Sequence, residues 1–408
     1  MKVYIETYGC TANEADSSAM REAIVASGGA IADSPADADA VIVNTCAVTE
    51  HTSRAMLRAI RRHAGRRVIV AGCMAATQAD MLQGCEHAAA PGAGPALVLL
   101  GLACGDGIPL TMSCRTAIVR IAEGCRGQCS YCIVRRARGD LKSRPPGEIV
   151  AAVRRAVQAG ATEILLTAQD TGAYGLDIGE RLPDLLRGVN DVPGDFKVRV
   201  GMMNPFSVAD IVPELIDALR LPRIYRFAHI PVQSGSDRIL RLMNRPYTAR
   251  EYRGLIGRMR EGIPDITFST DYIAGFPTES DEDFALTMEN LRHCRPLKVN
   301  ITRFSPRPGT PAASMTEVPG PVKRERSRAL TVLHHEITSA YMRAAVGSVR
   351  RVLVTENGKP GTVVARDESY NMVVIPESLP PGAFTSVEIT GSGITYMIGK
   401  RQDHNTAL

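Results

Sequence analysis

The chain has 408 residues, of which 45% are hydrophobic and 22% charged, and its formal net charge is +5. These values are typical of an ordinary soluble protein with two or three domains, and so small a net charge gives little support for nucleic-acid binding by itself. No apolar stretch is long enough to cross a bilayer and no signal peptide is recognisable, so the sequence predicts a cytoplasmic protein without a membrane partner. Ten cysteines in that compartment indicate metal or redox chemistry rather than disulfide bonds.

Strand-like and helix-like segments alternate over residues 1 to about 90. Hydrophobic periodicity predicts strands at residues 2–7, 40–44 and 67–71, with helices at residues 14–27 and 52–64. This alternation predicts a small parallel α/β domain.

A cysteine follows each of those three strands: Cys10, Cys46 and Cys73. Because loops after the carboxyl ends of parallel strands meet at one edge of the sheet, the three thiols are expected to lie together. Free cysteines are also common in protein cores, so three unrelated buried residues are the alternative. Their matching positions favour a three-thiolate cluster site.

Residues 91–115 are rich in glycine and proline and are predicted to form a linker. The cysteines in and near this stretch, and one at a predicted helix end, show no ligand spacing and are interpreted as structural or incidental: Cys85, Cys104, Cys114 and Cys294.

From residue 116 to about 305 the alternation resumes with longer helices. Strands are predicted at residues 116–122, 163–168, 197–203, 225–231, 267–273 and 298–304. Two of the helices are predicted at residues 146–159 and 280–294, the second with Ser280 as its N-cap. Six βα units predict a partial TIM-type barrel, whose site lies at the carboxyl ends of the strands.

The loop after the first of these strands contains Cys125, Cys129 and Cys132 at C-x3-C-x2-C spacing. Soft thiolates held this closely favour an iron–sulfur cluster, and three ligands leave one iron open to a small molecule. A structural zinc site normally needs a fourth protein ligand, and no suitably spaced His or Cys follows within the next hundred residues. A disulfide is disfavoured by the odd number of thiols in one loop.

The last segment, about residues 344–402, contains short strand-like runs separated by Gly, Pro and Asn turns. This spacing predicts a small all-β barrel of OB-like type. Such barrels often bind nucleic acid, and a plain structural cap is the equally weighted alternative.

Several stretches together resemble the radical SAM (S-adenosylmethionine) methylthiotransferase family across essentially the full length of the chain. The stretches that resemble the family's amino-terminal domain are TYGCTANEADS, VIVNTCAVTE and VIVAGCMA. The radical SAM cluster loop is matched by EGCRGQCSYCIVRRARG, and other barrel motifs by HIPVQSGSDRILRLMNRPYT, DYIAGFPTESDEDF and RFSPRPGTPAASM. Within the family, TYGCTANEADS together with TAQDTGAYG and CSYCIVRRARG looks closest to the archaeal and eukaryotic branch acting on N6-threonylcarbamoyladenosine in tRNA.

The resemblance implies a domain with an auxiliary cluster at residues 1–100, a radical SAM core at 111–341 and an RNA-binding TRAM domain at 342–403. It implies two [4Fe–4S] clusters, on Cys10, Cys46 and Cys73 and on Cys125, Cys129 and Cys132. The implied reaction is methylthiolation at C2 of threonylcarbamoyladenosine 37, next to the tRNA anticodon. SAM would serve as radical source and as methyl donor. A flavodoxin- or ferredoxin-like reductant and a monomeric state are also expected, with the sulfur donor unidentified.

Position alone suggests further SAM-facing residues: Tyr131, Gln169, Asp170 and Gln233. His229 is a candidate cavity residue, although a histidine at a strand end is more often a satisfied core residue. The same chemistry on isopentenyladenosine, or on a ribosomal-protein aspartate, remains an alternative. A non-catalytic iron–sulfur protein that binds RNA or transfers electrons is the alternative of another class.

Overall fold

A five-stranded parallel sheet opens the computed structural model, which describes residues 1–103, 105 and 107–402. Its spatial order is β2-β1-β3-β4-β5, from the strands β1 (Lys2–Thr7), β2 (Ala30–Ile31), β3 (Ala40–Thr45), β4 (Val68–Gly72) and β5 (Glu86–His87). The central strand β3 is buried along its whole length because helices cover both faces. Those helices are α1 (Thr11–Ala26), α2 (Glu50–Arg62), α3 (Cys73–Thr77) and α4 (Ala93–Leu99).

The prediction of a linker at residues 91–115 is wrong for much of that stretch. Helix α4 buries Ala93, Ala96 and Leu97 in the core of the first domain. A further strand, β6 (Thr111–Ser113), adds antiparallel to the barrel sheet. The small residues that suggested a loop instead allow a helix to pack closely against its neighbours. Cys104 lies outside the described residues.

Six parallel strands follow one another around an open barrel, as the sequence predicted. The strands after β6 are β7 (Thr116–Arg120), β8 (Ala122–Glu123), β9 (Lys142–Ser143), β10 (Glu163–Thr167), β11 (Lys197–Val200), β12 (Phe227–His229), β13 (Thr267–Ala274) and β14 (Lys298–Arg303). The short β8 and β9 pair only with each other. Single bridges, such as that between Met202 and His229, join the β7-β10-β11 part to the β12-β13-β14 part.

Helices alternate with these strands and cover the outside of the barrel. They are α5 (Ile133–Arg138), α6 (Pro146–Gln158), α7 (Leu182–Asn190), α8 (Pro205–Val208), α9 (Val212–Leu219), α10 (Asp237–Leu242), α11 (Ala249–Gly262), α12 (Asp281–Cys294) and α13 (Gly320–Ala344). Ser280 is the N-cap of α12, where its Oγ accepts a hydrogen bond from the backbone N–H of Asp283 at 3.2 Å. Within the described residues, no helix is both long and apolar enough to traverse a bilayer.

The carboxyl-terminal segment forms a closed five-stranded barrel, in the order β15-β16-β17-β19-β18. Its strands are β15 (Val349–Asn357), β16 (Val363–Asp367), β17 (Met372–Ile375), β18 (Phe384–Ser392) and β19 (Met397–Arg401). The β16–β17 loop packs against the amino ends of the larger barrel's strands. There the ring of Tyr370 lies 4.9 Å from that of Tyr225 and 5.0 Å from that of Phe227. The small barrel therefore covers the end of the larger one that is opposite the cysteines.

The first domain packs on the other end of the barrel, where the strands have their carboxyl ends. Asp16 of α1 accepts a hydrogen bond at 2.7 Å from Arg138 of α5, and both side chains are buried. Arg307, after β14, donates to the hydroxyl of Ser53 in α2 at 2.7 Å. These contacts bring the two groups of predicted cysteine ligands to a common interface.

Candidate active site between two cysteine triads

The first set of ligands, here called the loop triad, consists of Cys125, Cys129 and Cys132 between β8 and α5. Gly124 precedes it with a φ of +79°, and a Cβ atom at this position would lie 1.9 Å from the carbonyl oxygen of Asp140. Only glycine fits such a left-handed, closely approached position. The sharp turn therefore places the three thiols of one short loop beside one another.

The loop triad is held by polar side chains from other loops of the barrel. Nη1 of Arg245 donates to Sγ of Cys129 at 3.2 Å and to Oδ1 of Asn204 at 2.9 Å. Asn204 is fixed by Asp170, whose carboxylate accepts hydrogen bonds from its backbone and side-chain N–H groups. A buried guanidinium therefore lies beside one sulfur of the loop triad, where its positive charge offsets the negative charge that a cluster brings.

Burial opposes ionisation of these thiols in the protein without metal. Desolvation, helped by the charge of Asp170, raises the pKa of Cys125 to about 11. Desolvation likewise raises the pKa of Cys132. Cluster assembly must therefore displace protons from thiols that are neutral at physiological pH.

The second set, here called the strand triad, consists of Cys10, Cys46 and Cys73. They follow β1, β3 and β4, which are neighbours in the sheet, so their loops meet at one edge. Glycine allows these loops to approach: a Cβ atom on Gly9 would lie 3.0 Å from Cβ of Cys46, and one on Gly72 would lie 2.3 Å from the carbonyl oxygen of Thr45.

Buried arginines also accompany the strand triad. Desolvation raises the pKa of Cys73 to about 11, and the nearby charge of Arg138 opposes that shift. Burial raises the pKa of Cys46 as well, and the charge of Arg307 acts against it. Each triad thus combines desolvated thiols with at least one cation able to stabilise their ionised form.

Each triad offers three thiols, which is the donor set of a cubane with one open iron. Among the described residues, no three His, Cys, Asp or Glu side chains converge on a point that could hold one metal ion. In a [4Fe–4S] cluster the three thiolates bind three different irons and need not converge, which leaves the fourth iron free of protein ligands. Three neighbouring thiolates without a fourth protein ligand are the donor set expected for such a cluster.

A cavity of about 210 Å³ lies between the first domain and the barrel. Alternate residues of β13 and β14, which point into the barrel, line its wall: Asp271, Ile273, Asn300, Thr302 and, just after β14, Phe304. The loop triad contributes Cys132 to the lining, and so does Arg307, whose charge acts on Cys46 of the strand triad. A small substrate in this cavity would be close to both triads.

The structure gives the predicted SAM-facing residues two kinds of position. Tyr131 and Gln233 line the cavity. Gln169 accepts a hydrogen bond from the backbone N–H of Gly124 at 2.7 Å and so supports the cluster loop. Asp170 has no exposed surface, and both its oxygens accept hydrogen bonds within the protein, so it supports Asn204.

His229 lies beside the cavity and contacts Asp271, with 2.9 Å between its Nε2 and the carboxylate Oδ1. The same oxygen accepts a hydrogen bond from Asn300 at 2.6 Å. The position of Asp271 is therefore fixed by neighbours on both adjacent strands.

Sequence reasoning did not identify Asn204, Arg245 or Arg307 as site residues. Two of them lie in stretches that carried the family resemblance, MNRPYT and SPRPG. Arg245 contacts Cys129 across more than a hundred residues of sequence, and the charge of Arg307 acts on Cys46 across more than two hundred. The motifs therefore mark these residues, but only the fold shows what they meet.

Three family models match successive parts of the chain. They are Uncharacterized protein family UPF0004 over residues 2–90, the Radical SAM superfamily over residues 119–291 and the TRAM domain over residues 343–399.

Curated proteins are similar over the full length. A probable threonylcarbamoyladenosine tRNA methylthiotransferase of Archaeoglobus fulgidus is 42% identical, and the match covers 98% of each chain. One of Pyrococcus horikoshii is 38% identical over 98% of this chain and 99% of that one. The threonylcarbamoyladenosine tRNA methylthiotransferase of Danio rerio is 34% identical over 98% of this chain and 78% of its own length.

Solved structures share the fold at low sequence identity. The radical S-adenosylmethionine methyltransferase TsrM from Kitasatospora setae, with cobalamin and a [4Fe–4S] cluster bound, has a TM-score of 0.57 at 15% identity, covering 76% of this chain and 77% of that one. The cobalamin-dependent S-adenosylmethionine radical enzyme OxsB has a TM-score of 0.52 at 10% identity, covering 82% and 56%. At these identities the likeness concerns the fold alone.

Proposed function

Because this chain belongs to the radical SAM threonylcarbamoyladenosine tRNA methylthiotransferases, we propose that its two cysteine triads hold two [4Fe–4S] clusters that act on one adenine between them. The enzyme is a radical SAM tRNA methylthiotransferase, and membership of the superfamily implies SAM and one cluster. The second cluster, on the strand triad, is our proposal. The cavity lined by Cys132 of the loop triad and by Arg307, whose charge acts on Cys46 of the strand triad, is the observation that supports it.

The reaction is methylthiolation at C2 of N6-threonylcarbamoyladenosine, and we place it at position 37 of tRNA. When bound, the cofactors supply the radical that activates the C2–H bond, the sulfur that replaces the hydrogen and the methyl group that caps the sulfur. An adenine C2–H is too weak an acid for a side-chain base, and accordingly the cavity needs no such base.

The chain's own residues position the reactants and exclude water. Arg245 holds Cys129, and Gln169 holds the start of the loop triad. Tyr131 packs edge-on against Phe276, with ring centroids 6.3 Å apart, and forms an apolar wall near the loop triad. Such a wall keeps water and stray hydrogen donors away from a reactive radical.

The remaining assignments are also proposals. Tyr131 and Gln233 face SAM, while Gln169 and Asp170 act through the loop that they support. The TRAM domain binds the anticodon stem-loop through phosphates and stacked bases. We further propose a monomer that works in the cytoplasm with a flavodoxin- or ferredoxin-like reductant, and domains at residues 1–100, 111–341 and 342–403.

Anaerobic reconstitution tests the proposal. The protein reconstituted with iron and sulfide should hold about eight irons per chain, as two cubanes require. With SAM, dithionite and a stem-loop carrying threonylcarbamoyladenosine 37, it should release 5′-deoxyadenosine and form the 2-methylthio nucleoside, detected by mass spectrometry.

The same assay separates the alternatives. Product from an isopentenyladenosine stem-loop, or from a ribosomal-protein peptide, without product from threonylcarbamoyladenosine would overturn the substrate assignment. Absence of SAM cleavage by a fully loaded protein would favour a non-catalytic role. About four irons after complete reconstitution would contradict a second cluster.

A further inference from the structure

The substrate proposed above carries a charge that related adenosines lack. The threonylcarbamoyl group on N6 ends in the α-carboxylate of threonine, whereas adenosine and isopentenyladenosine have no charge there. A site that selects this substrate therefore needs a cation where the N6 group lies, because buried or confined carboxylates require a charged hydrogen-bond partner.

The cavity has an outer continuation. A groove of about 530 Å³ shares residues with the cavity at its mouth, including Thr49, Thr302 and Arg303. C2 and N6 leave the adenine ring at different positions. An adenine with C2 directed at the triads can therefore extend its N6 substituent through this mouth into the groove.

The positively charged side chains around the mouth differ in whether they already have a partner within the protein. Lys323 forms an ion pair with Glu317, and Arg307 is buried, donates to Ser53 and lies beside Cys46. Arg303 is exposed at the boundary of cavity and groove, and no side-chain partner is found for it among the described residues.

The carboxylates near the mouth also have partners within the protein. Asp271 contacts His229 and Asn300, and Glu50 forms an ion pair with Arg54. Arg303 is therefore free to bind an external anion without first breaking an internal ion pair. The planar fork of a guanidinium matches a carboxylate through two parallel hydrogen bonds.

We propose that Arg303 binds the threonyl carboxylate of the substrate and so selects threonylcarbamoyladenosine over uncharged adenosines. This inference rests on the proposed function and assigns a specificity residue to it. Arg303 does not touch the reacting C2, so its loss should weaken recognition of the substrate and leave SAM cleavage intact.

The test measures binding of three anticodon stem-loops to the reconstituted protein at one salt concentration. They carry threonylcarbamoyladenosine, the same nucleoside with its carboxylate converted to an amide, or adenosine. The wild-type protein should bind the first roughly tenfold or more tightly than the other two, as a charge-assisted pair predicts. In Arg303→Gln this preference should disappear, and in Arg303→Lys it should persist in part.

Arg324→Gln is the matched control, because Arg324 is an exposed arginine of the outer groove that does not line the cavity. It should keep the wild-type preference. Equal weakening of all three stem-loops by Arg303→Gln would mean a phosphate contact and would overturn the proposal, as would an unchanged preference in Arg303→Gln or its loss in Arg324→Gln.

The outcome is separable from failure of the proposed function. If wild-type protein forms no methylthio product from threonylcarbamoyladenosine, the proposed function fails whatever the binding data are. If it forms that product and Arg303→Gln keeps the binding preference, the carboxylate assignment alone fails.

Discussion

The two cysteine triads present similar donors but are assembled differently. The loop triad lies within eight residues of one loop, from Cys125 to Cys132, whereas the strand triad spans Cys10 to Cys73 and depends on three adjacent strands. A local ligand set needs one correctly shaped turn. A distributed set needs the register of a whole sheet, because each ligand loop is positioned by its own strand. Equivalent substitutions at the two sites should therefore have different effects on cluster loading and on activity.

The largest effect is expected from removing each triad in turn. With alanine at all three positions of the loop triad, SAM cleavage should be abolished, because no protein ligands remain for that cluster. With alanine at all three positions of the strand triad, 5′-deoxyadenosine should still form while the methylthio product is lost. Iron content should fall to about four per chain in each variant. Loss of SAM cleavage in the strand-triad variant, at normal loop-triad loading, would contradict separate roles.

Replacing a single glycine should lower metal loading at one triad and leave the other triad loaded. Gly124→Ala places a methyl group against the carbonyl oxygen of Asp140, and Gly72→Ala places one against that of Thr45. The first should lower loading of the loop triad and the second that of the strand triad, each measured by Mössbauer or EPR spectroscopy. Gly254→Ala, on an open face of α11, is the control and should leave both sites loaded. If Gly124→Ala lowered loading of the strand triad and Gly72→Ala lowered loading of the loop triad, the assignment of each glycine to its cluster site would be wrong.

A smaller, electronic effect is expected at the loop triad alone. Arg245→Gln removes a positive charge 3.2 Å from Sγ of Cys129, so reduction of that cluster, which adds negative charge, becomes harder. Its midpoint potential, measured by EPR-monitored titration, should become more negative, while that of the strand triad stays unchanged. Equal shifts at both sites would point to a general disturbance of the fold.

The smallest expected effect is on the thermal stability of the protein without clusters. The pKa of Cys73 and that of Cys125 are both raised to about 11 by burial, above the ordinary value of roughly 8.5 in the unfolded chain. A raised pKa stabilises the folded state below the unfolded-state value, and this contribution is lost as pH rises toward about 11. The melting temperature should therefore fall over that interval. Cys73→Ala should reduce the slope, whereas exposed Cys114→Ala should not.

The fold could be predicted from sequence more completely than the site. All six parallel barrel strands and the Ser280 cap follow from periodicity and capping chemistry, which act over a few residues. The prediction of a linker at residues 91–115 was wrong because helix α4 depends on burial against the first domain rather than on its own helix propensity.

The site depends on contacts that no local pattern encodes. The cysteines could be proposed as ligands because their positions relative to strands are visible in the sequence. The contact of Arg245 with Cys129 and the free position of Arg303 required the packed barrel, since they depend on which side chains meet across the cavity.

Tyr370, which packs on Tyr225 and Phe227 at the far end of the barrel, has a consequence for how the chain can be divided. The TRAM domain also covers one end of the radical SAM barrel. A gene shortened before residue 342 would remove Tyr370 and uncover Tyr225 and Phe227, so the encoded fragment should aggregate rather than act as a minimal enzyme. Loss of this domain in evolution would therefore require another element to cover that end of the barrel.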